Sequence, residues 1–276
     1  MKKLLALLLC LIMVVTFAAC GNANTTSGSS DAAVDTNAKS EKIIVGYTIY
    51  EPMNYLDESG KLVGYDTELA EKVFSNLGYE VVFKEIKWEN KYTELNSDNI
   101  NCIWNGFTCN TADDDGVARA EKVDFSYNYM ENRQVVVVKT DSGIAKKADL
   151  KGKIADAEIG SAGETYAKDL GEVVFKGSTK QTDCLLSVKT GNADFAVVDA
   201  QLAKSYCGKG DYANLTIIEA LSSDVEYYGI GFKKGSDLTA KVNAELEKLG
   251  ADGTIASLAE KYGVSNTAIK DFADQK

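Results

Sequence analysis

From residue 41 onward the chain alternates two hydrophobic patterns. Short runs rich in β-branched and aromatic residues read as strands: Lys42 to Tyr47 (KIIVGY), Glu80 to Ile86 (EVVFKEI), Asn101 to Trp104, Lys153 to Ala157, Glu172 to Lys176, Asp194 to Val198 (DFAVV) and Tyr227 to Phe232 (YYGIGF). Asn54 to Val63 reads as a hairpin turning at Glu58-Ser59-Gly60. Between the strands lie stretches with apolar residues three and four apart. One begins near Asp66, carries Leu69, Ala70, Val73, Phe74 and Leu77 on one face, and stops at Gly78. Others cover Lys91 to Ser97, Ala162 to Leu170 and Gln181 to Thr190; two more surround Leu238 to Leu249 and Ile255 to Tyr262. Strands alternating with helices predict an α/β architecture.

Gln134 to Val138 (QVVVV) is apolar and β-branched throughout its last four positions, as in a strand buried on both faces. The βα pattern restarts after it, which predicts two lobes with the chain crossing twice, near Val135 to Thr140 and near Val225 to Gly231. The expected division is 41–134 plus 230–276 for one lobe and 135–229 for the other. Ligands on such sheets sit beyond the carboxyl ends of strands, here a cleft between lobes. No repeat of 20 to 50 residues is visible, which argues against a solenoid.

Before this body stands a different kind of sequence. Lys2 and Lys3 precede an apolar run from Leu4 to Ala19, interrupted only by Thr16. As a helix it would rise about 24 Å, short of the roughly 30 Å hydrocarbon layer, so residues 1–19 read as an export signal rather than a permanent span. The run ends Phe17-Ala18-Ala19-Cys20-Gly21 and resembles a bacterial lipobox, which would make Cys20 the lipidated residue. An Ala-x-Ala-like cleavage site beside an incidental thiol is the alternative. Residues 21–40 (GNANTTSGSSDAAVDTNAKS) have no aromatic side chain and Val34 as their one large aliphatic. They bury too little to offset ordering entropy and read as a flexible tether, which favours the lipidated reading of 20–40.

Composition then narrows the chemistry. The chain of 276 residues has no histidine, one proline (Pro52), and only Arg119 and Arg133 as arginines among its 30 basic residues. Without imidazole there is no Ser-His-Asp or Cys-His nucleophile and no histidine-ligated zinc. Net charge is −11, and −13 once Lys2 and Lys3 leave with the leader. With no basic run to offset it, no nucleic-acid partner is expected. The exported body keeps Cys102, Cys109, Cys184 and Cys207; pairs 102/109 and 184/207 are open, as are free thiols. No C-x-x-C spacing occurs, so neither a metal nor a cofactor is expected. Asp113-Asp114-Asp115-Gly116 invites a calcium reading, but Thr111 and Lys122 fall where the first and twelfth ligands belong, so a solvated acidic loop is preferred.

Several segments, taken in order, resemble one family: GKLVGYDTELAEKV (60–73), IKWENKYTEL (86–95), IWNGFT (103–108), KVDFSYNYM (122–130), ADLKGKIA (148–155), GSAGETYA (160–167), GNADFAVVDAQLA (191–203) and EKYGVS (260–265). The chain is similar to the bacterial extracellular solute-binding proteins of ABC importers, polar amino-acid type. The resemblance implies the two-lobe periplasmic-binding-protein fold with two crossover strands, and a free amino acid held in the cleft. It also implies partners: an ABC permease and its ATPase, at a membrane reached through the lipid anchor, with the receptor itself a monomer. A zwitterion needs charge-assisted hydrogen bonds for both heads, a planar bidentate donor for the carboxylate and an acidic acceptor for the ammonium.

By this resemblance Arg119, five residues before Asp124, is the carboxylate anchor, with Arg133 as fallback. Counted forward from Thr108 the anchor would fall on Asp113, so 109–118 (CNTADDDGVA) reads as an insertion of about six residues. Asp199, after FAVV, corresponds to the ammonium-binding aspartate; a helix N-cap is its alternative role. Gly106 and Thr108 would contact both heads of the ligand, and Ser161 and Ala162 would aim helix N-terminal amides at the carboxylate. Tyr50 and Trp88 match the aromatic positions flanking the ligand side chain, and Trp104 reads as core. Two other functions stay open on this scaffold: a sensory binding protein that does not transport, and a dehydratase-like enzyme using Glu51 or Glu164 as acid.

Overall fold

The computed structural model describes residues 41–275. The leader, Cys20 and the tether lie outside the described residues. Two five-stranded sheets organise the body. In the first, Lys42–Tyr47 lies between Glu80–Glu85 and Cys102–Ile103 in parallel, and Gly231–Phe232 runs antiparallel between Cys102–Ile103 and Asp124–Phe125. In the second, the order is Val174–Ser178, Ile154–Glu158, Phe195–Asp199, Gln134–Lys139, Leu215–Ile218, with the last two strands in the order antiparallel to their neighbours where they meet Phe195–Asp199 and each other.

The helices follow the apolar spacing. Tyr65–Asn76 buries Leu69, Ala70, Val73 and Phe74, and shares a core with Val242, Leu246 and Leu249 of Leu238–Ala251 and Ile255 and Leu258 of Thr254–Lys261. The chain enters the first of these helices through Gly64, at φ 133°; a Cβ there would stand 2.0 Å from the Met53 carbonyl oxygen, so only glycine allows the hairpin to close against the helix start. On the second sheet, Ala162–Asp169 and Gln181–Thr190 pack against the central strands. Trp104, just past the strand Cys102–Ile103, is fully buried, in keeping with its reading as a core residue.

Two expectations need correction. The run Gln134–Lys139 is an interior strand of the second sheet, not a crossing; its valines are buried on both sides, which is what a continuous β-branched run demands. The crossing pair lies just before it: Met130–Asn132 pairs antiparallel with Glu226–Tyr228, with Asn132 opposite Glu226. The run Tyr227–Phe232 is likewise two strands rather than one. Tyr228 ends the crossing pair, and Gly231–Phe232 belongs to the first sheet. The four cysteines of the described residues are free thiols. Among the described residues no helix is long and apolar enough to cross a membrane.

Candidate functional site

The two sheets present their strand ends to one narrow cavity. From the first lobe it is lined by Trp88, Asn105, Gly106, Thr108 and Arg119; from the second by Gln134, Glu158, Ser161, Ala162, Gln181 and Asp199. Of the residues singled out in the sequence, seven therefore meet here. Tyr50 does not line the cavity. It is buried behind the Gly106 turn, its hydroxyl 2.8 Å from that of Tyr228. Arg133 is exposed and donates to the Ser223 carbonyl, away from this cavity.

Arg119 opens a single helical turn, Arg119–Lys122, and is 1% exposed. Its Nε donates to Asp113 Oδ1 at 2.8 Å, Nη1 to the Thr108 carbonyl at 3.3 Å, and Nη2 to the Gly160 carbonyl of the other lobe at 3.2 Å. Its guanidinium carbon stands 5.3 Å from the Phe107 ring centroid. The acidic loop 109–118 is thus not simply solvated. Asp113 also accepts from Lys122 at 2.8 Å and from the Tyr92 hydroxyl at 2.6 Å. Partial burial opposes ionisation of Asp113, but Arg119, Lys122 and Tyr92 outweigh it and hold the carboxyl at about 2. Asp115 pairs with Lys122, and Asp114 meets Lys168 of the second lobe. Among the described residues no acidic or cysteine cluster has the arrangement of a metal site.

Gly106 turns at φ 58°, and a Cβ there would lie 2.7 Å from Tyr50 and 3.1 Å from Tyr228, so the two tyrosines wedge the turn from behind. Its amide is directed inward, donating to Asp66 Oδ2 at 3.0 Å; Tyr129 donates to the same oxygen at 2.9 Å. Asn105 fixes the start of this loop by donating to the Thr48 carbonyl and to Asn54 Oδ1. Trp88 packs edge-on to Phe107 at 5.3 Å. Beside it Lys91, also buried, donates to the Gly160 carbonyl at 2.8 Å and lies over the Tyr92 and Trp88 rings. Burial, then the Arg119 charge, lowers the Lys91 ammonium to about 7.

Across the cavity the second lobe is acidic. Asp199 stands at the end of its strand and at the head of the helix Ala200–Tyr206, yet its side chain makes no cap bond. Its Oδ1 accepts from Asn132 at 2.7 Å and Gln134 at 2.6 Å, and its Oδ2 from Gln181. The antiparallel register explains the convergence, since Gln134 is the direct partner of Asp199 and Asn132 that of Glu226. Both amides also donate to Glu226 Oε1, at 2.6 and 2.8 Å. Glu158 ends the next strand, is 3% exposed, and its Oε1 has no hydrogen-bond partner. Burial, then the neighbouring Asp199 charge, raises Glu158 to about 8 and Glu226 to about 7; burial raises Asp199 as well.

Ser161 caps Ala162–Asp169, its hydroxyl accepting from the Glu164 amide at 3.1 Å while Glu164 Oε2 accepts from Gly160 N–H at 2.6 Å. This variant of the capping box ties down the turn that places Ser161 and Ala162 in the cavity wall. Glu164 also pairs with Lys168, so it is a structural group rather than a poised acid.

Asn105, Gln134, Glu158 and Gln181 were not singled out in the sequence. Like Asp199, Glu158 stands at the carboxyl end of a strand, but it follows IADA rather than the apolar FAVV, which weakens that signal. Gln134 and Gln181 carry no such mark, because each simply begins an element.

Two lobes joined by paired crossing strands, with a charged cavity between them, define a hinged binding protein. The chain matches the model of the bacterial extracellular solute-binding proteins, family 3, over residues 43–265, and it belongs to that family. Its similarities cover almost the whole chain. It is 29% identical to the arginine-binding extracellular protein ArtP of Bacillus subtilis, over 95% of this chain and 98% of that one. It is 30% identical to the L-cystine-binding protein TcyA of the same organism, over 95% and 97%. Among solved structures, an ancestral arginine-binding protein bound to arginine superimposes with a TM-score of 0.72 at 32% identity, covering 80% of this chain and 97% of that one.

Proposed function

We propose that this chain is a lipid-anchored extracellular receptor that closes on a free amino acid and delivers it to an ABC permease. The observation that carries the reading is the placement of a buried arginine and a buried aspartate, Arg119 and Asp199, on opposite walls of one cavity. Arg119 takes the ligand carboxylate, exchanging its bonds to the Thr108 and Gly160 carbonyls for bidentate ones, with the amides after Ser161 completing the shell. Asp199 takes the ammonium. Thr108, Gly106 and Ala162 shape the space around both heads, Trp88 offers an aromatic face to the side chain, and Tyr50 supports the Gly106 turn. The curated relatives named for arginine and cystine, and the arginine-bound ancestral protein, support an amino acid as the cargo.

Ligand bridging both walls favours the closed lobes, because only there do all these contacts form together. The domain plan is the expected one except that Gln134, which begins a strand of the second sheet, goes with the second lobe: 41–133 with 230–276 and 134–229, after a leader (1–19) and a tether (20–40) that carries the membrane anchor at Cys20. Cys20→Ser should release the protein into the medium. The central test is a thermal-shift screen of the twenty amino acids plus cystine and ornithine. A ligand at about 100 times its Kd adds about 2.7 kcal/mol, a rise on the order of 5–10 °C for a body of this size. No rise with any of them overturns the reading.

A further inference from the structure

The cleft holds one carboxylate more than an α-amino acid head requires. Asp199 suffices for the ammonium, and its oxygens are already oriented by Asn132, Gln134 and Gln181. Glu158 lines the same cavity, is buried, and keeps Oε1 without a partner. Among the described residues it takes part in no ion pair; the closest cation by charge coupling, Lys91, donates to the Gly160 carbonyl instead. A buried carboxylate oxygen with nothing to accept from costs several kcal/mol of solvation, which a donor from outside the chain can restore. Trp88 lines the same cavity and adds an aromatic face suited to a cation.

We propose that Glu158 is a specificity-determining residue that accepts a cationic group at the far end of the ligand side chain. This rests on the amino-acid-receptor reading and adds to it the class of ligand: one with a second positive charge, either the guanidinium or ammonium of a basic amino acid or the second ammonium of cystine. The charges then match group by group, Arg119 with the carboxylate, Asp199 with the α-ammonium and Glu158 with the distal cation. Glu158 faces Asp199 from the adjacent strand, Lys180 and Asp183 from the Gln181 helix region, and Lys91 from the other lobe. Before a ligand binds, Glu158 is largely protonated at pH 7, its carboxyl standing at about 8, so a cation docking there ionises it and releases up to about one proton.

The test is titration calorimetry of the full chain and Glu158→Gln with L-arginine, L-cystine and L-glutamine, in two buffers of different ionisation heat. The expected result is tighter binding of arginine or cystine than of glutamine. In Glu158→Gln that ligand should lose tenfold or more in affinity and its proton release, while glutamine binding changes less than threefold. Arginine bound with cystine inert identifies a basic side chain at Glu158, and the converse identifies a second ammonium. Equal loss for all three ligands would place Glu158 at the shared head and overturn the assignment, as would no loss for any. A wild type that binds glutamine alone overturns the assignment but not the receptor reading; one that binds no amino acid overturns both. Glu158→Leu, of similar volume, repeats the comparison if the glutamine variant fails to fold.

Discussion

The two walls of the cleft treat charge in opposite ways. On the first lobe Arg119 is fully engaged, with a carboxylate on Nε and a carbonyl on each terminal nitrogen. On the second lobe and the crossing pair, Asp199, Glu158 and Glu226 are buried together; side-chain amides and the Tyr228 hydroxyl, all neutral, serve Asp199 and Glu226, and Glu158 Oε1 has no partner. One wall is a completed ion pair. The other holds three carboxyls whose affinity for protons is raised by burial and, for Glu158 and Glu226, by the Asp199 charge as well, and the charge it lacks is what an ammonium would bring.

The largest effect should come from breaking the completed wall. Arg119→Ala removes the proposed carboxylate anchor and leaves Asp113 with Lys122 as its one ion-pair partner among the described residues, so binding should fall at least 100-fold and stability by about 3 kcal/mol. Arg119→Lys should not restore affinity, because a single ammonium reproduces neither the Asp113 bond nor a bidentate grip on the ligand. Calorimetry and a denaturant melt read the two losses separately. Wild-type affinity in Arg119→Ala would remove the asymmetry on which the comparison rests.

The acidic wall predicts a pH profile of the opposite sense to that of the Asp113 pair. Glu158 and Glu226 bind protons more tightly folded than unfolded, so stability is highest below the ordinary carboxylate range and falls as pH rises toward their values of about 8 and about 7. Asp113, held at about 2, contributes stability above the ordinary carboxylate range that is lost as pH falls toward 2. Together they place the unliganded protein's maximum melting temperature near pH 5, on the order of several degrees above that at pH 8. A maximum at pH 8 or above would show that the three carboxyls are not held apart from solvent and cations as the structure has them.

A sharper form of the same contrast uses one residue. Glu158→Gln mimics the protonated side chain, so its melting temperature should equal that of the wild type near pH 4 and exceed it by an increasing margin toward pH 8. The margin is on the order of 1–3 kcal/mol, the reverse of the loss expected for Arg119→Ala. A variant less stable than the wild type at pH 8 would mean that Glu158 has a stabilising partner within the protein itself.

What could be read from the sequence divides along the same line. The helix Gln181–Thr190 and the strand Lys42–Tyr47 have the bounds their apolar spacing predicts, because burial of one face or both is a local, periodic demand. The first crossing was misplaced onto Val135 to Thr140 because its strand, Met130–Asn132, is only three residues long and stands next to a longer apolar run that dominates any window, whereas the return strand Glu226–Tyr228 lies inside the Val225 to Gly231 stretch expected for it. Arg119 stood out through rarity and its distance from Asp124. Glu158 did not, because an acid alternating with alanine in IADAE looks like the solvent side of a strand, and only the packing of Gln181–Thr190 and the first lobe buries it. The Asp113 loop was opaque for a related reason: three aspartates in a row look solvated until their cations arrive from elsewhere in the chain.

The smallest effect tests how the two walls are held together. Asp114 of the acidic loop meets Lys168 on the second lobe, and Lys180 of the second lobe meets Glu85 on the first at 2.6 Å. These side chains are 41–44% exposed, so each pair is worth at most about 1 kcal/mol and is screened by salt. Both span the cleft, so they act on closure rather than on either wall. Asp114→Asn should therefore weaken ligand binding by less than about fivefold at low salt, leave the melting temperature of the unliganded protein within about a degree, and match the wild type at about 0.5 M NaCl. A loss that persists in high salt would instead mean that Asp114 supports the neighbouring Asp113–Arg119 pair, and the latch would belong to the cationic wall itself.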